Sequence, residues 1–199
     1  MKKILHLFTI CLLIGILSSS CKGNGNGISK DVDTVWNEHV QNVFFDTPFG
    51  STQSEVISNF AKRGITTAYL AQKTEGALMY SGGIYYICSF GDMNWHMINV
   101  GFSGGKFNCI KFYNAFKDKA SALESFQEIK NAVGAKYKIS DIKVQPTDTT
   151  TYDIAKAFGK DNRTITIYCQ KKESMGKEVL VYVILEYFDN NYTKASSEL

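Results

Sequence analysis

The sequence predicts an α+β fold, a two-layer sandwich in which an antiparallel meander sheet carries two helices on one face. Three observations point there. Two stretches with apolar residues at helical spacing are each followed by a run of period-two segments, giving the order helix, strands, helix, strands. Aromatic residues make up 13% of the chain while proline occurs only at Pro48 and Pro146, a composition suited to sheet rather than to disorder. The final apolar run, from Val179 to Phe188, is apolar on both faces, as a central strand must be.

The elements follow in order. Asn42 to Phe49 is expected as a short strand ending at Thr47-Pro48-Phe49-Gly50. Thr52 with Glu55 three residues later forms a capping box, and Val56, Ile57, Phe60 and Ala61 continue at helical spacing until Gly64 stops the helix after Lys62-Arg63. Strand segments are expected at Thr66 to Thr74, Ala77 to Tyr80, Ile84 to Phe90, Trp95 to Phe102 and Phe107 to Tyr113, with turns at Gly91-Asp92 and Ser103-Gly104-Gly105-Lys106. In this meander Ile98, Val100, Phe102, Ile110 and Phe112 share the core face. Asp118 to Tyr137 returns to helical period, with Ala122, Phe126, Ile129 and Val133 on one stripe. Strands resume at Ile139 to Val144, Tyr152 to Phe158, Thr164 to Cys169 and Val179 to Phe188, the last two entered from turns at Gly159 to Asn162 and Ser174 to Lys177. The two halves thus read as two α-β-β-β units, alike in element order although not in residues.

The first residues have the form of an export signal. Met1-Lys2-Lys3 is a basic start, Ile4 to Leu17 is almost wholly apolar, and Ser18-Ser19-Ser20 precede Cys21. The run is too short for a membrane-spanning helix, which needs about 20 residues. Leu17-Ser18-Ser19-Ser20-Cys21 resembles the bacterial lipobox, with Ser18 where that motif usually has Leu. The resemblance implies cleavage before Cys21 and attachment of acyl chains to it, and two or three chains anchor stably where one does not. An ordinary secretory signal with Cys21 incidental is the alternative. Residues 21–35 then form a flexible tether whose Lys22-Gly23-Asn24-Gly25-Asn26-Gly27 has no apolar area to bury, residues 36–190 a single domain, and 191–199 a polar tail.

Removal of the first 20 residues, Lys2 and Lys3 among them, leaves about 179 residues and a net charge near +1, down from +3. That length suits one domain with its own core, and that charge carries no nucleic-acid footprint. Of the five cysteines, Cys88, Cys109 and Cys169 remain besides Cys11 and Cys21. All three lie in apolar runs; Cys88 and Cys109, two strands or about 10 Å apart, are too far to bridge. Buried thiols are expected, a disulfide involving Cys169 being the alternative. No Cys-x-x-Cys and no metal-like spacing occurs, and no cofactor is expected.

Chemistry-bearing patterns are weak. Gly101-Phe102-Ser103-Gly104-Gly105 matches Gly-x-Ser-x-Gly, but that nucleophile requires a strand-to-helix turn, and Lys106 to Tyr113 alternates like a strand. His39 and His96 would have to converge with Asp46 or Asp92 to hold a metal. Glu186 interrupts an apolar strand and is expected at a solvent-facing edge, the alternative being burial beside a cation. The clearest clue is the aromatic content of the meander. Tyr85, Tyr86 and Trp95 are the candidate binding surface, because exposed Tyr and Trp dominate interface energetics.

Phe49-Gly50-Ser51-Thr52 with Glu55-Val56-Ile57, Gly82-Gly83-Ile84-Tyr85-Tyr86, Ala135-Lys136-Tyr137 and the closing Val181-x-Val-x-Leu-x-Tyr-x-Asp189 resemble a group of uncharacterised Bacteroidales-type lipoproteins. The layout is similar to the small lipoprotein of the barrel-assembly machinery and to the β-lactamase-inhibitor-protein fold. That similarity implies action by protein–protein contact and no enzyme activity, with another envelope protein as partner. Lipoproteins of this type destined for the cell surface often carry an acidic run after the cysteine; Lys22 and the Gly/Asn run stand there instead, so the expected location is the outer membrane, facing the periplasm. Asp33-Thr34-Val35 and Asp148-Thr149-Thr150 resemble the O-glycosylation acceptor of the same bacteria. The alternative function is glycan or small-ligand binding by the same aromatics.

Overall fold

The computed structural model describes residues 35–145, 147–173 and 179–193. The expected signal segment, Cys21, the tether to residue 34, the turn at Ser174 to Lys177 and the end of the tail lie outside the described residues. Among the described residues the fold is α+β: a nine-stranded sheet, two helices and two small two-stranded sheets.

Chain order is β1 (Trp36–Asn37), β2 (Val43–Phe44), β3 (Thr47–Pro48), α1 (Gln53–Lys62), a 3-10 turn at Thr67–Tyr69, β4 (Leu70–Thr74), β5 (Ala77–Ser81), β6 (Cys88–Phe90), β7 (Met93–Trp95), β8 (Met97–Ser103), β9 (Lys106–Phe116), α2 (Lys119–Gly134), β10 (Ser140–Asp141), β11 (Thr151–Gly159), β12 (Arg163–Glu173) and β13 (Val179–Asp189). In the large sheet the strands lie in the order β1-β11-β12-β13-β9-β8-β5-β4, with β10 also on β11. All pairs are antiparallel except β1 with β11. The last strand is central, as its two-sided apolar pattern predicts.

Helix α1 forms for the local reasons expected. Thr52 caps it, the Glu55 amide donates to Thr52 Oγ1 at 3.4 Å, and the Thr52 amide donates to Glu55 Oε2 at 2.7 Å. The Thr52 amide, and after it the Thr52 hydroxyl, which donates to Glu55 Oε2 at 2.8 Å, hold the Glu55 carboxyl below its usual range. Gly64, in the left-handed region at φ 85°, ends it. Helix α2 starts on an Asp118 cap, whose carboxylate accepts from the Ser121 amide at 2.8 Å, and buries Ala122, Phe126, Ile129 and Val133.

Register aligns the core. Tyr80, Ile98, Phe112, Leu185, Ile167 and Ala155 form one buried row across six strands, and Leu78, Val100, Ile110, Tyr187 and Ile165 form the next. Phe102, expected on this face, is only half-buried because a bulge at Gly101/Phe102 shifts the register there.

Five strand expectations are corrected. Of Thr66 to Thr74 only Leu70–Thr74 is a strand, Thr67–Tyr69 being a 3-10 turn. Asn42 to Phe49 is a hairpin rather than one strand: Phe45 (φ 50°) and Asp46 (φ 60°) form a left-handed two-residue turn between β2 and β3. Such a conformation is unfavourable for Phe, and tertiary contacts hold it. The Phe45 ring meets Phe60 edge-on at 5.1 Å, and Arg63 donates Nε and Nη2 to the Asp46 carboxylate at 2.5 and 2.6 Å. Only Cys88–Phe90 of the expected strand from Ile84 is a strand. The expected strand Trp95 to Phe102 is two strands in different sheets, divided at His96. Of Ile139 to Val144 only Ser140–Asp141 pairs.

The domain's first residues are bound to the far edge of the sheet. Trp36 and Asn37 pair with Phe158 and Gly159. The Asn37 side chain donates to Lys138 O and Phe158 O at 3.0 and 3.1 Å, and the Val40 amide donates to Asp161 Oδ2 at 2.9 Å. Asp161 in turn accepts from Arg163 at 2.9 Å, and Arg163 donates to the fully buried Asp189 at 2.7 Å.

Candidate interaction surface

After β5 the chain leaves the sheet in a loop held at both ends. The Gly82 amide donates to His96 O at 3.0 Å, the Tyr85 amide to Gly82 O at 3.0 Å and the Ile87 amide to Trp95 O at 2.8 Å. Gly82 is packed so closely that a Cβ there would stand 2.3 Å from Tyr85 O and 2.6 Å from Ile87 Cγ2. Gly83 supplies a left-handed turn at φ 63°. Between these fixed ends Ile84, Tyr85 and Tyr86 are 83%, 71% and 57% exposed.

Tyr86 is the most supported of the three. Its ring lies 4.3 Å from the His96 imidazole. His96 Nδ1 contacts Asn114 Oδ1 at 2.8 Å, and Asn114 Nδ2 donates to Asn94 O at 2.9 Å. This chain of contacts ties the tip of the loop to β9.

Trp95, assigned to the same surface by sequence, is fully buried. It faces Phe112 with ring centroids 5.4 Å apart, and its Nε1 donates to Phe90 O at 3.0 Å. It is part of the core and is withdrawn from the candidate surface. Sequence reasoning missed Ile84, for which the preceding Gly82-Gly83 was the available signal.

The face of the sheet opposite the buried rows is polar and aromatic by turns. One of its rows reads Met79, Asn99, Lys111, Glu186, Thr166 and Lys156 in register. Glu186 is here on the central strand, not at an edge: its side chain is 13% exposed, with Lys111 Nζ 3.0 Å away. Burial lowers the Lys156 pKa, opposed by the charge of Glu186. Tyr168 lies beside this row, and burial pushes its hydroxyl above the usual range. At the outer edge of the same face Trp36 meets Phe158 at 5.6 Å, and Lys156 Nζ sits 5.0 Å over the Phe158 ring.

A groove of about 470 Å³ opens between the β2–β3 turn, the C-terminal end of α1 and the β6–β7 hairpin, lined by Phe45, Asp46, Arg63, Cys88, Ser89 and Phe90 among others. Neither Tyr85, Tyr86 nor Trp95 lines it. Its ionic groups already face each other in the Asp46–Arg63 pair, and burial pushes the Cys88 thiol up to about 12, away from the thiolate form a nucleophile needs. Cys88, Cys109 and Cys169 are all thiols.

The remaining sequence patterns resolve structurally. Ser103 ends β8 and is followed by Gly104 (φ 55°) and Gly105 (φ 73°), a hairpin turn into β9 rather than a strand-to-helix elbow. His39 is 3.9 Å from Asp161, whereas His96 pairs with Asn114. Among the described residues no three His, Cys, Asp or Glu side chains gather as metal ligands, and no helix is long and apolar enough to cross a membrane. Hydrogen bonds from the Thr151 side chain first, then from the Thr150 hydroxyl and the amides of Thr150 and Thr151 at 2.8 and 3.0 Å, hold the Asp148 carboxyl at about 2, and Thr149 beside it is exposed. Asp33 and Thr34 lie outside the described residues. Comparison of the chain with protein-family models, with curated proteins and with solved structures returns no match.

Proposed function

We propose that this chain is an envelope lipoprotein, anchored through acyl chains on Cys21 at the outer membrane and facing the periplasm, whose domain is a non-enzymatic protein-binding module. The carrying observation is Ile84-Tyr85-Tyr86: three consecutive large side chains, mostly exposed, on a loop whose backbone is fixed at both ends. Tyr side chains anchor interfaces, and a loop already ordered loses little entropy when a partner arrives. The chain is a two-layer sandwich of two α-β-β-β units with both helices on one face. Supporting this, Val56 and Phe60 of α1 join Ala122, Phe126 and Ile129 of α2 in one buried cluster, and the last strands of the two units, β9 and β13, pair with each other.

The test is photocrosslinking in cells from position 85 of the full-length tagged chain, beside a Cys21→Ala control. One envelope protein captured by the wild type and lost with the control is the expected result. Crosslinks to no protein, from a chain that still fractionates with the membrane, would remove the loop as a contact.

A further inference from the structure

The domain carries a second exposed apolar feature, and it lies where the tether enters. Val35 and Trp36, the first described residues, are 42% and 49% exposed. Trp36 pairs with Phe158 at the β11 edge, its ring against that of Phe158 and beneath the reach of Lys156. An indole packed on an apolar ring with a lysine beside it is a side-chain set that settles at the boundary of a bilayer, the indole among the headgroups.

We propose that this corner of the sheet, Val35 and Trp36 backed by Phe158 and Lys156, rests on the lipid surface to which the chain is anchored. The inference rests on the lipidation of Cys21. Fourteen positions separate Cys21 from Val35, and a chain of that length reaches at most about 50 Å. The corner is therefore held near the headgroups at high effective concentration, and even a weak contact is populated. The corner is also rigid: Asn37, Val40 and Lys160 bind it to β11 and its turn. Six interstrand steps, β1 to β11, β12, β13, β9, β8 and β5, separate Trp36 from the strand that leads into the 84–86 loop, about 30 Å across the sheet. Lipid contact at one edge leaves the loop at the other edge free for a protein.

The chain has two tryptophans, Trp36 and the buried Trp95, so the test needs no added probe. The full-length lipidated protein is reconstituted into phosphatidylethanolamine/phosphatidylglycerol vesicles with and without brominated acyl chains, and flotation is measured alongside fluorescence. The difference between wild type and Trp36→Phe reports Trp36 alone. The expected result is a blue-shifted Trp36 component that loses most of its intensity in brominated vesicles while the Trp95 component is kept. A chain that floats with the vesicles but whose Trp36 is unquenched overturns the contact and leaves the anchor standing. A chain that does not float overturns the anchor and the contact together. A photocrosslinker at position 36 that captures a protein rather than lipid in cells gives the corner to a protein partner and also overturns the proposal.

Discussion

Segment 84–86 leads into the short β6–β7 hairpin and segment 93–95 is its second strand; both carry aromatic side chains, yet their fates are opposite. Ile84, Tyr85 and Tyr86 stand in solvent, whereas Trp95 has no exposed surface at all. Residue type does not separate them. Trp95 pairs with Cys88 across β6–β7, and its side chain is turned onto Phe112. Residues 84–86 pair with nothing across a sheet; the loop hydrogen-bonds at its ends and pushes its middle outward. An aromatic in this meander is core or contact according to which strand its backbone joins.

Substitutions sharpen the contrast. Trp95→Ala removes a filled volume and one of the rings packed on Phe112; a loss of about 3–5 kcal/mol is expected from chemical denaturation. A loss below about 1 kcal/mol would mean that Trp95 is not buried as described. Gly82→Ala comes next, because its Cβ would meet a carbonyl oxygen at 2.3 Å. A cost of about 1–3 kcal/mol is expected, with crosslinking from position 85 lost as the loop moves. Gly83→Ala is its control: nothing lies within 4 Å of that Cβ, so only the left-handed backbone opposes it, at about 1–2 kcal/mol.

What was legible in the sequence and what was not divides along the same line. Helix α1 was legible because its signals are local: Thr52, Glu55 and Gly64 act within a few residues. Strand β13 was legible because Val179 to Leu185 is apolar without a break, and Val183, Ile184 and Leu185 are buried in succession. The Phe45–Asp46 turn was not, since the residues that hold a left-handed Phe there, Phe60, Arg63, Phe90 and Phe112 among them, come later in the chain. The break at His96 was hidden because Trp95 to Phe102 keeps strand period while changing sheets. Glu186 looked like an edge residue because its partner, Lys111, faces it only through the β9–β13 register. Composition picked out Tyr85, Tyr86 and Trp95 alike, of which the first two are exposed and Trp95 is buried.

A smaller effect tests how the loop is held. His96→Ala removes the ring beneath Tyr86 and the contact with Asn114. About 0.5–1.5 kcal/mol is expected from the lost ring contact, and hydrogen exchange should report it as faster opening of the Tyr85 and Ile87 amides. Unchanged exchange at both would show that the glycine-built backbone alone fixes the loop.

The smallest effect on stability carries the most about function. Tyr85 is 71% exposed, so Tyr85→Ser should leave stability within about 0.5 kcal/mol of wild type. If the loop is the contact, the same substitution removes an anchor worth more than about 1 kcal/mol at the interface and lowers capture of the partner at least fivefold. A substitution silent in folding and strong in capture separates contact from core in a way Trp95→Ala cannot, because loss of the core abolishes both. If capture is unchanged while the chain remains folded and anchored, the exposed tyrosine is surface without a partner, and the search moves to the Lys111–Glu186 face of the sheet.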